Sequence, residues 1–356
     1  MRYLMVSTYP PTRCGIGAYA EQSVARLRAD GHIVDVVSPD GQGNADFAWD
    51  LQGSKLLQLL SLVPYYDKVV LQYHWAFFYR DPFQPKSSWE TAKTTLCFMW
   101  LFLRARKLEV IAHEIPYLRG KQGWLYKWKW KLAPRVVFHT ATECERFEQH
   151  AGIRLNRSRV EFRAHDDVYN KFVEHTRQSA RQRLKLSSEG LVFLCIGFIQ
   201  RHKGFHRAIR AFAESGLRSA ELFIVGSLRV EDADNQKYLA ELQQLVSNHS
   251  NIHLIESFVS NEDFDTWIAA SDCVVLPYSE IWSSAVLGRA RLIGRPAIVA
   301  AVGGLPDQAG ERDIVFSSDA ELTEAFSTFA RQCGQTEPRS GDNCVGRGRK
   351  PAVQSE

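Results

Sequence analysis

The chain has 356 residues, about twice the usual domain size, so its length predicts two domains, each able to bury its own core. With 45% hydrophobic and 24% charged residues it is neither generally disordered, nor collagen-like, nor a multi-span membrane protein. A net charge of +4, from 44 basic and 40 acidic residues, is too small to imply nucleic acid, so any basic surface must be local.

The N-terminus, MRYLMVSTYPP, turns polar early and has no small-residue cleavage site, which predicts a first strand and not a signal peptide. The longest apolar run, Leu96 to Leu103, is far short of the roughly 20 residues that span a bilayer. Seven cysteines, scattered without a C-x-x-C pair, fit neither a disulfide framework nor a zinc site and predict a reduced, cytoplasmic compartment.

Strand-like β-branched runs occur at Arg2–Ser7, Ile33–Ser38, Lys68–Gln72, Glu109–Ala112 and Arg135–Phe138, with helical segments between them such as Ala18–Ala29. The pattern restarts with strands at Leu191–Ile196, Glu221–Val225, Ile252–Ile255, Cys273–Leu276 and Ala297–Ala300. This alternation predicts an α/β fold of two doubly wound, parallel-sheet domains. The expected division is 1–170, a polar linker over 171–188, a second domain over 189–332, and a disordered tail over 333–356 that has almost no apolar content.

The first strand-to-helix turn reads Tyr9-Pro-Pro-Thr-Arg-Cys-Gly-Ile-Gly-Ala-Tyr19. Gly15 and Gly17 at the mouth of a helix let backbone approach a ligand, and open N–H groups there favour an anion, although a simple tight turn fits equally well. In the second half, Gly197-Phe-Ile-Gln-Arg-His-Lys-Gly204 repeats the arrangement with two cations, Arg201 and Lys203, whose alternative is plain solvation. Leu276-Pro-Tyr-Ser-Glu280-Ile-Trp-Ser-Ser284-Ala-Val-Leu then places an acid and two serines after a buried strand, at the lip where such sheets bind ligands.

Taken in order, CGIG, a strand ending in His113-Glu114, G-x5-K-G, ELFIVG, ASDCVVLPYSE and GRPAIVAAVGGLP resemble the GT-B glycosyltransferases of family 4 over nearly the whole chain to about residue 330. The resemblance implies two Rossmann-like domains facing a central cleft, a nucleotide-sugar donor on the C-terminal one, an acceptor on the N-terminal one, and transfer with retention. It implies that Lys203 neutralises the donor diphosphate, that the Gly15 N–H lies against it, that His113 stands near the transferred sugar, and that Glu280 orients sugar hydroxyls. With a fixed cation and backbone donors on the leaving group, no metal and no other cofactor is expected.

The chain departs from that pattern as well. The second acid of the family's E-x7-E motif falls at Arg289, which puts ribose recognition by that acid in doubt, and Glu280 is one position early. Ser284, Ala285 and Val286 stand where relatives read Ser-Gly-Val and are expected to bind the diphosphate, with Arg201 replacing an arginine that is Phe198 here. The polar stretch after Arg331 predicts no long terminal helix crossing back to the first domain.

One segment lies outside the family pattern. Residues 117–135, YLRGKQGWLYKWKWKLAPR, hold six basic and no acidic residues with three tryptophans. On a helix, Trp124, Leu125, Trp128 and Leu132 share a face while Lys127, Lys129 and Lys131 spread around its margin, which predicts contact with an anionic membrane surface. The alternatives are an ordinary surface helix and, with less support, an RNA-binding patch; no nucleic acid is expected. Together these features predict a glycosyltransferase acting on a lipid-linked or saccharide acceptor in surface polysaccharide or glycolipid synthesis, at the inner face of the cell membrane. The rivals are a catalytically silent binding partner and a GT-B epimerase or hydrolase.

Overall fold

A computed structural model describes residues 1–334 except 13, 40–43, 80–87, 114–120, 166 and 229, and only the backbone of 88 and 121–123. Glu114, the start of the basic segment at 117–120 and the tail from 335 therefore lie outside the described residues.

The first domain has seven strands: β1 (Arg2–Val6), β2 (Ile33–Ser38), β3 (Phe47–Ala48), β4 (Lys68–Tyr73), β5 (Leu108–Ala112), β6 (Val136–Phe138) and β7 (Val160–Phe162). Its helices are α1 (Gly15–Ala29), α2 (Leu59–Leu62), α3 (Trp75–Phe78), α4 (Ser88–Arg104), α5 (Lys121–Leu132) and α6 (Ala141–Ala151). The second has β8 (Leu191–Ile196), β9 (Ala220–Gly226), β10 (Ile252–Glu256), β11 (Cys273–Leu276), β12 (Ala297–Ala300) and β13 (Ile314–Phe316). Its helices are α7 (Arg177–Leu184), α8 (Phe205–Glu214), α9 (Ala233–Val246), α10 (Asn261–Ala270), α11 (Ala285–Ile293), α12 (Leu305–Gln308) and α13 (Asp319–Gln332).

Both sheets are parallel, in the orders β3-β2-β1-β4-β5-β6-β7 and β10-β9-β8-β11-β12-β13. Parallel strands need helical crossovers that cover both faces, and accordingly β8, LVFLCI, is buried at every residue. Each order reverses beside the first strand of its domain, so the switch points lie at the carboxyl ends of β1 and β8, where such folds hold ligands. The chain leaves the first domain through Val168 and Tyr169, packed beside Tyr19, and enters the second where Phe172 N–H donates to Asp265 (2.7 Å).

The ten expected strands are present, with ends shifted by at most one residue. The sequence reading missed β3, β7 and β13, all edge strands of two or three residues. The stretch 171–188, expected to be a linker, contains α7, which is built into the second domain. Arg181, 1% exposed, donates to Asp272 (2.7 Å) and to the Ala270 carbonyl (2.9 Å).

The basic segment is helical, as α5, but its charges are not distributed as expected. Lys129 does not lie at the margin; it is fully buried, with its ammonium 3.9 Å from the Tyr126 ring and 4.2 Å from the Tyr73 ring, donating to the Tyr73 hydroxyl (2.8 Å) and the Tyr79 hydroxyl (3.3 Å). Aromatic faces and hydroxyl acceptors surround the ammonium where no carboxylate of the described residues pairs with it, and burial pushes its pKa well below the usual lysine value. Trp130, 1% exposed, packs edge-on to Tyr73 and Phe147 in the core. Trp124 (63% exposed) and Trp128 (43%) remain outside, with Lys131 over the Trp128 ring at 4.6 Å.

Candidate functional site

A cavity of about 580 Å³ lies between the domains, at the carboxyl ends of β1 and β8. Its first wall is the start of α1. Cys14 precedes this helix in an extended conformation and makes no side-chain cap, so the first N–H groups of α1 are left for other partners. The two glycines there differ. At Gly15 an added Cβ would meet nothing within 4 Å, and the residue lines the cavity. At Gly17 it would lie 3.3 Å from the Thr8 carbonyl oxygen, so Gly17 lets helix and loop pack and does not reach the cavity.

The second wall comes from the loop after β8. Gly197 (φ +123°) turns the chain, and a Cβ at Gly226 would lie 1.9 Å from its carbonyl, so β9 can approach only as glycine. The Lys203 ammonium folds back over this turn, 2.8 Å from where a Gly197 Cβ would stand and 5.6 Å from the Tyr278 ring. The third wall is the start of α11. Ser284 is its N-cap, with Oγ accepting from Leu287 N–H (3.3 Å) and its own N–H donating to Gln308 Oε1 (2.7 Å). Ala285 and Val286 line the cavity; Ser284, 3% exposed, instead fixes the helix start.

The structure thus brings Gly15, Lys203, Ala285 and Val286 onto one cavity. It does not bring Arg201 there. That guanidinium lies outside the lining, bonded to Glu241 (2.7 Å) and over the Tyr238 ring (4.6 Å). Glu280 is exposed and is not part of the lining.

His113 stands behind the lining residue Tyr19, ring centroids 5.4 Å apart. Its Nε2 meets Gln72 Oε1 at 2.6 Å, and the Gln72 amide nitrogen faces Met5 Sδ, so the proton belongs on Nε2. Burial, with His139 and His74 nearby, holds the His113 pKa well below 6.5, leaving a neutral ring at pH 7. It belongs to a cluster. The His139 and His165 rings lie tilted with centroids 3.7 Å apart, both meet the Tyr19 ring edge-on, and both have lowered pKa values, chiefly from burial. His165 Nδ1 accepts from Gln308 Nε2 (3.1 Å), which ties the cluster to the residue holding Ser284.

The sequence reading missed the far end of the cavity, where Glu21, Gln22, Asn261 and Phe264 join Arg289. One signal was available: Gly15, Ala18, Tyr19 and Gln22 recur at helical spacing along α1, so once Gly15 faces a ligand the others follow. Among the described residues no group of three His, Cys, Asp or Glu is placed to hold a metal ion, and no helix is long and apolar enough to cross a membrane.

Residues 176–331 match the family model of glycosyl transferases group 1. Among solved structures, sucrose-phosphate synthase from Thermosynechococcus elongatus superposes with a TM-score of 0.64 at 15% identity, covering 94% of this chain and 91% of that one. HepE of Anabaena, solved with UDP-glucose, gives 0.63 at 17% identity over 94% and 91%. WaaG, described as a glycosyltransferase involved in lipopolysaccharide biosynthesis, gives 0.61 at 18% identity over the same shares. No curated protein matches the sequence. The fold is GT-B, and with the match over its second domain the chain is a glycosyltransferase.

Proposed function

We propose that this glycosyltransferase is of family 4, retaining, and moves a sugar from a nucleoside diphosphate to a lipid-linked or saccharide acceptor without a metal or other cofactor. The observation that carries the reading is the convergence of Lys203 and two helix starts, at Gly15 and Ala285, on one interdomain cavity. As the glycosidic bond breaks, negative charge grows on the leaving diphosphate, and fixed positive groups stabilise that state more than the ground state. His113, neutral with its Nε2 proton engaged by Gln72, is suited to pack or hydrogen-bond near the sugar without adding charge. HepE holds UDP-glucose in the same fold, which supports a nucleotide sugar as donor class. The test is a thermal-shift screen of the purified protein against GDP, UDP, ADP and dTDP sugars, followed by release of the free nucleoside diphosphate with and without acceptor. One nucleotide should stabilise the protein well above the others; no stabilisation by any of them refutes the donor assignment.

The acceptor side supports an anionic membrane surface as partner, in a cytoplasmic setting. Every tryptophan among the exposed large hydrophobic residues lies on α4 or α5: Trp89, Trp100, Trp124 and Trp128. Along α4, Trp89, Lys93, Leu96, Trp100 and Arg104 recur at helical spacing on the exposed side, with Arg104 over the Trp100 ring at 4.4 Å. Indoles with flanking cations suit headgroup depth, and each basic residue there contributes about 1 kcal/mol. Reversing Lys93, Arg104 and Lys131 to glutamate should therefore weaken binding to phosphatidylserine vesicles at least about a hundredfold at low salt. Lys129→Met should leave vesicle binding unchanged, because that ammonium is buried. Wild-type protein that fails to co-sediment with such vesicles at low salt points to a soluble acceptor.

A further inference from the structure

Resting on the donor reading above, we infer that Glu21, on the first helix of the N-terminal domain, binds the ribose diol of the nucleotide held by the C-terminal domain. Glu21 is the only carboxylate among the described residues lining the cavity. A carboxylate repels a diphosphate, so it has to face another part of the ligand, and its neighbours show which. Lys203 clusters with Gly197 and Tyr278, whereas Glu21 Oε2 accepts from Asn261 Nδ2 (2.7 Å) on α10. Asn261 is held in turn by Arg289, which donates to its Oδ1 (3.1 Å) and its carbonyl (2.7 Å).

The cation at this end is already neutralised. Arg289 is paired with Asp265, its Nε donating to Oδ1 at 2.8 Å, and it covers the Phe264 ring at 4.3 Å. What the cavity offers here is therefore one carboxylate oxygen that takes no hydrogen bond from the described residues, a donor from the next residue of the same helix, and apolar walls. The donor is Gln22 Nε2. Gln22 is 2% exposed, lines the same cavity, and its amide nitrogen is buried without a partner while its oxygen takes Asn170 N–H (3.2 Å). An acceptor and an unsatisfied donor on one wall of the cavity suit the hydroxyls of a ribose, each of which both donates and accepts.

This assignment also accounts for Arg289 standing where a second acid was expected: the acid comes from the other domain, and the arginine orders the asparagine that aims it. Nucleotide binding then spans both domains and favours the closed cleft.

The experiment measures, by calorimetry, binding of ADP, GDP, UDP and CDP and of the 2′,3′-dideoxy counterpart of whichever binds. Wild type should favour the ribonucleotide by on the order of tenfold to a hundredfold, the worth of one or two charge-assisted hydrogen bonds. Glu21→Ala should cut the ratio at least about fivefold by weakening only the ribonucleotide, leaving the smaller share owed to Gln22, and Glu21→Gln should fall between. Asp307→Ala removes a different interdomain bond, from Thr142 N–H (3.0 Å), and should leave the ratio intact. A ratio unchanged in Glu21→Ala, or equal losses on both ligands, overturns the inference while leaving the donor reading in place. Failure of wild type to bind any nucleoside diphosphate overturns both.

Discussion

Lys203→Ala is expected to lower turnover by roughly a hundredfold or more while leaving the fold intact. The size follows from where the charge develops. Losing one oriented donor to a transition-state anion typically costs 10²–10³ in rate, and an ammonium over a phosphate is at least such a donor. The side chain contributes little to stability, because it closes a three-residue turn and touches Gly197 and the Tyr278 ring without entering the core. Turnover of a saturating donor should fall further than affinity for the free nucleoside diphosphate, since the interaction strengthens as the bond breaks. Arg201→Ala provides the contrast: its guanidinium is committed to Glu241, so its loss should change turnover less than about twofold. Near-normal turnover in Lys203→Ala would reject the site, and a collapse in thermal stability would recast the lysine as structural.

Which parts of this arrangement could be read from the sequence depended on how local their causes are. Both sheets were legible because a parallel strand is a short β-branched run buried on two faces, and LVFLCI or CVVL carries that information within itself. Gly15 reaches the cavity where its own helix start predicts, and Ala285 and Val286 line it where the resemblance to relatives reading Ser-Gly-Val puts them. Lys129 was not legible, because its burial depends on hydroxyls of Tyr73 and Tyr79, some 50 residues away, which nothing in KWKWK announces. Arg201 was misplaced for the same reason: its partner, Glu241, comes from a helix whose orientation the loop sequence does not encode. Gln308, buried and bonded through its amide oxygen to Ser284 in its own domain and through its amide nitrogen to His165 of the other, belongs to a segment that reads only as the end of GGLPDQ.

Acid should destabilise the protein steeply below about pH 6.5, and the cause lies in the cluster of His113, His139 and His165. In the unfolded chain each ring takes a proton near pH 6.5. In the folded state all three pKa values are lowered, chiefly by burial and, for His113 and His165, by the neighbouring rings; the Glu143 carboxylate opposes this at His139. Between the depressed values and 6.5 the unfolded chain therefore binds more protons, so stability increases with pH across that window and is lost as pH falls through it. Each lagging histidine contributes up to about 1.4 kcal/mol per pH unit, and three contribute up to about 4. Above pH 7 the effect vanishes, and below the folded-state values it stops growing. The interface responds in the same direction: a proton on His165 Nδ1 would face the Gln308 amide donor, removing the 3.1 Å bond that links the histidine cluster to the start of α11. Urea midpoints at pH 7.5, 6.5 and 5.5 measure this directly. Wild type should show most of the drop over the last unit, and His165→Asn should show a shallower slope, because it removes one titrating ring while keeping an amide to meet Gln308. A midpoint that does not move between pH 7.5 and 5.5 would mean that these rings accept protons in place, and the neutral state given to His113 behind Tyr19 would have to be abandoned with it.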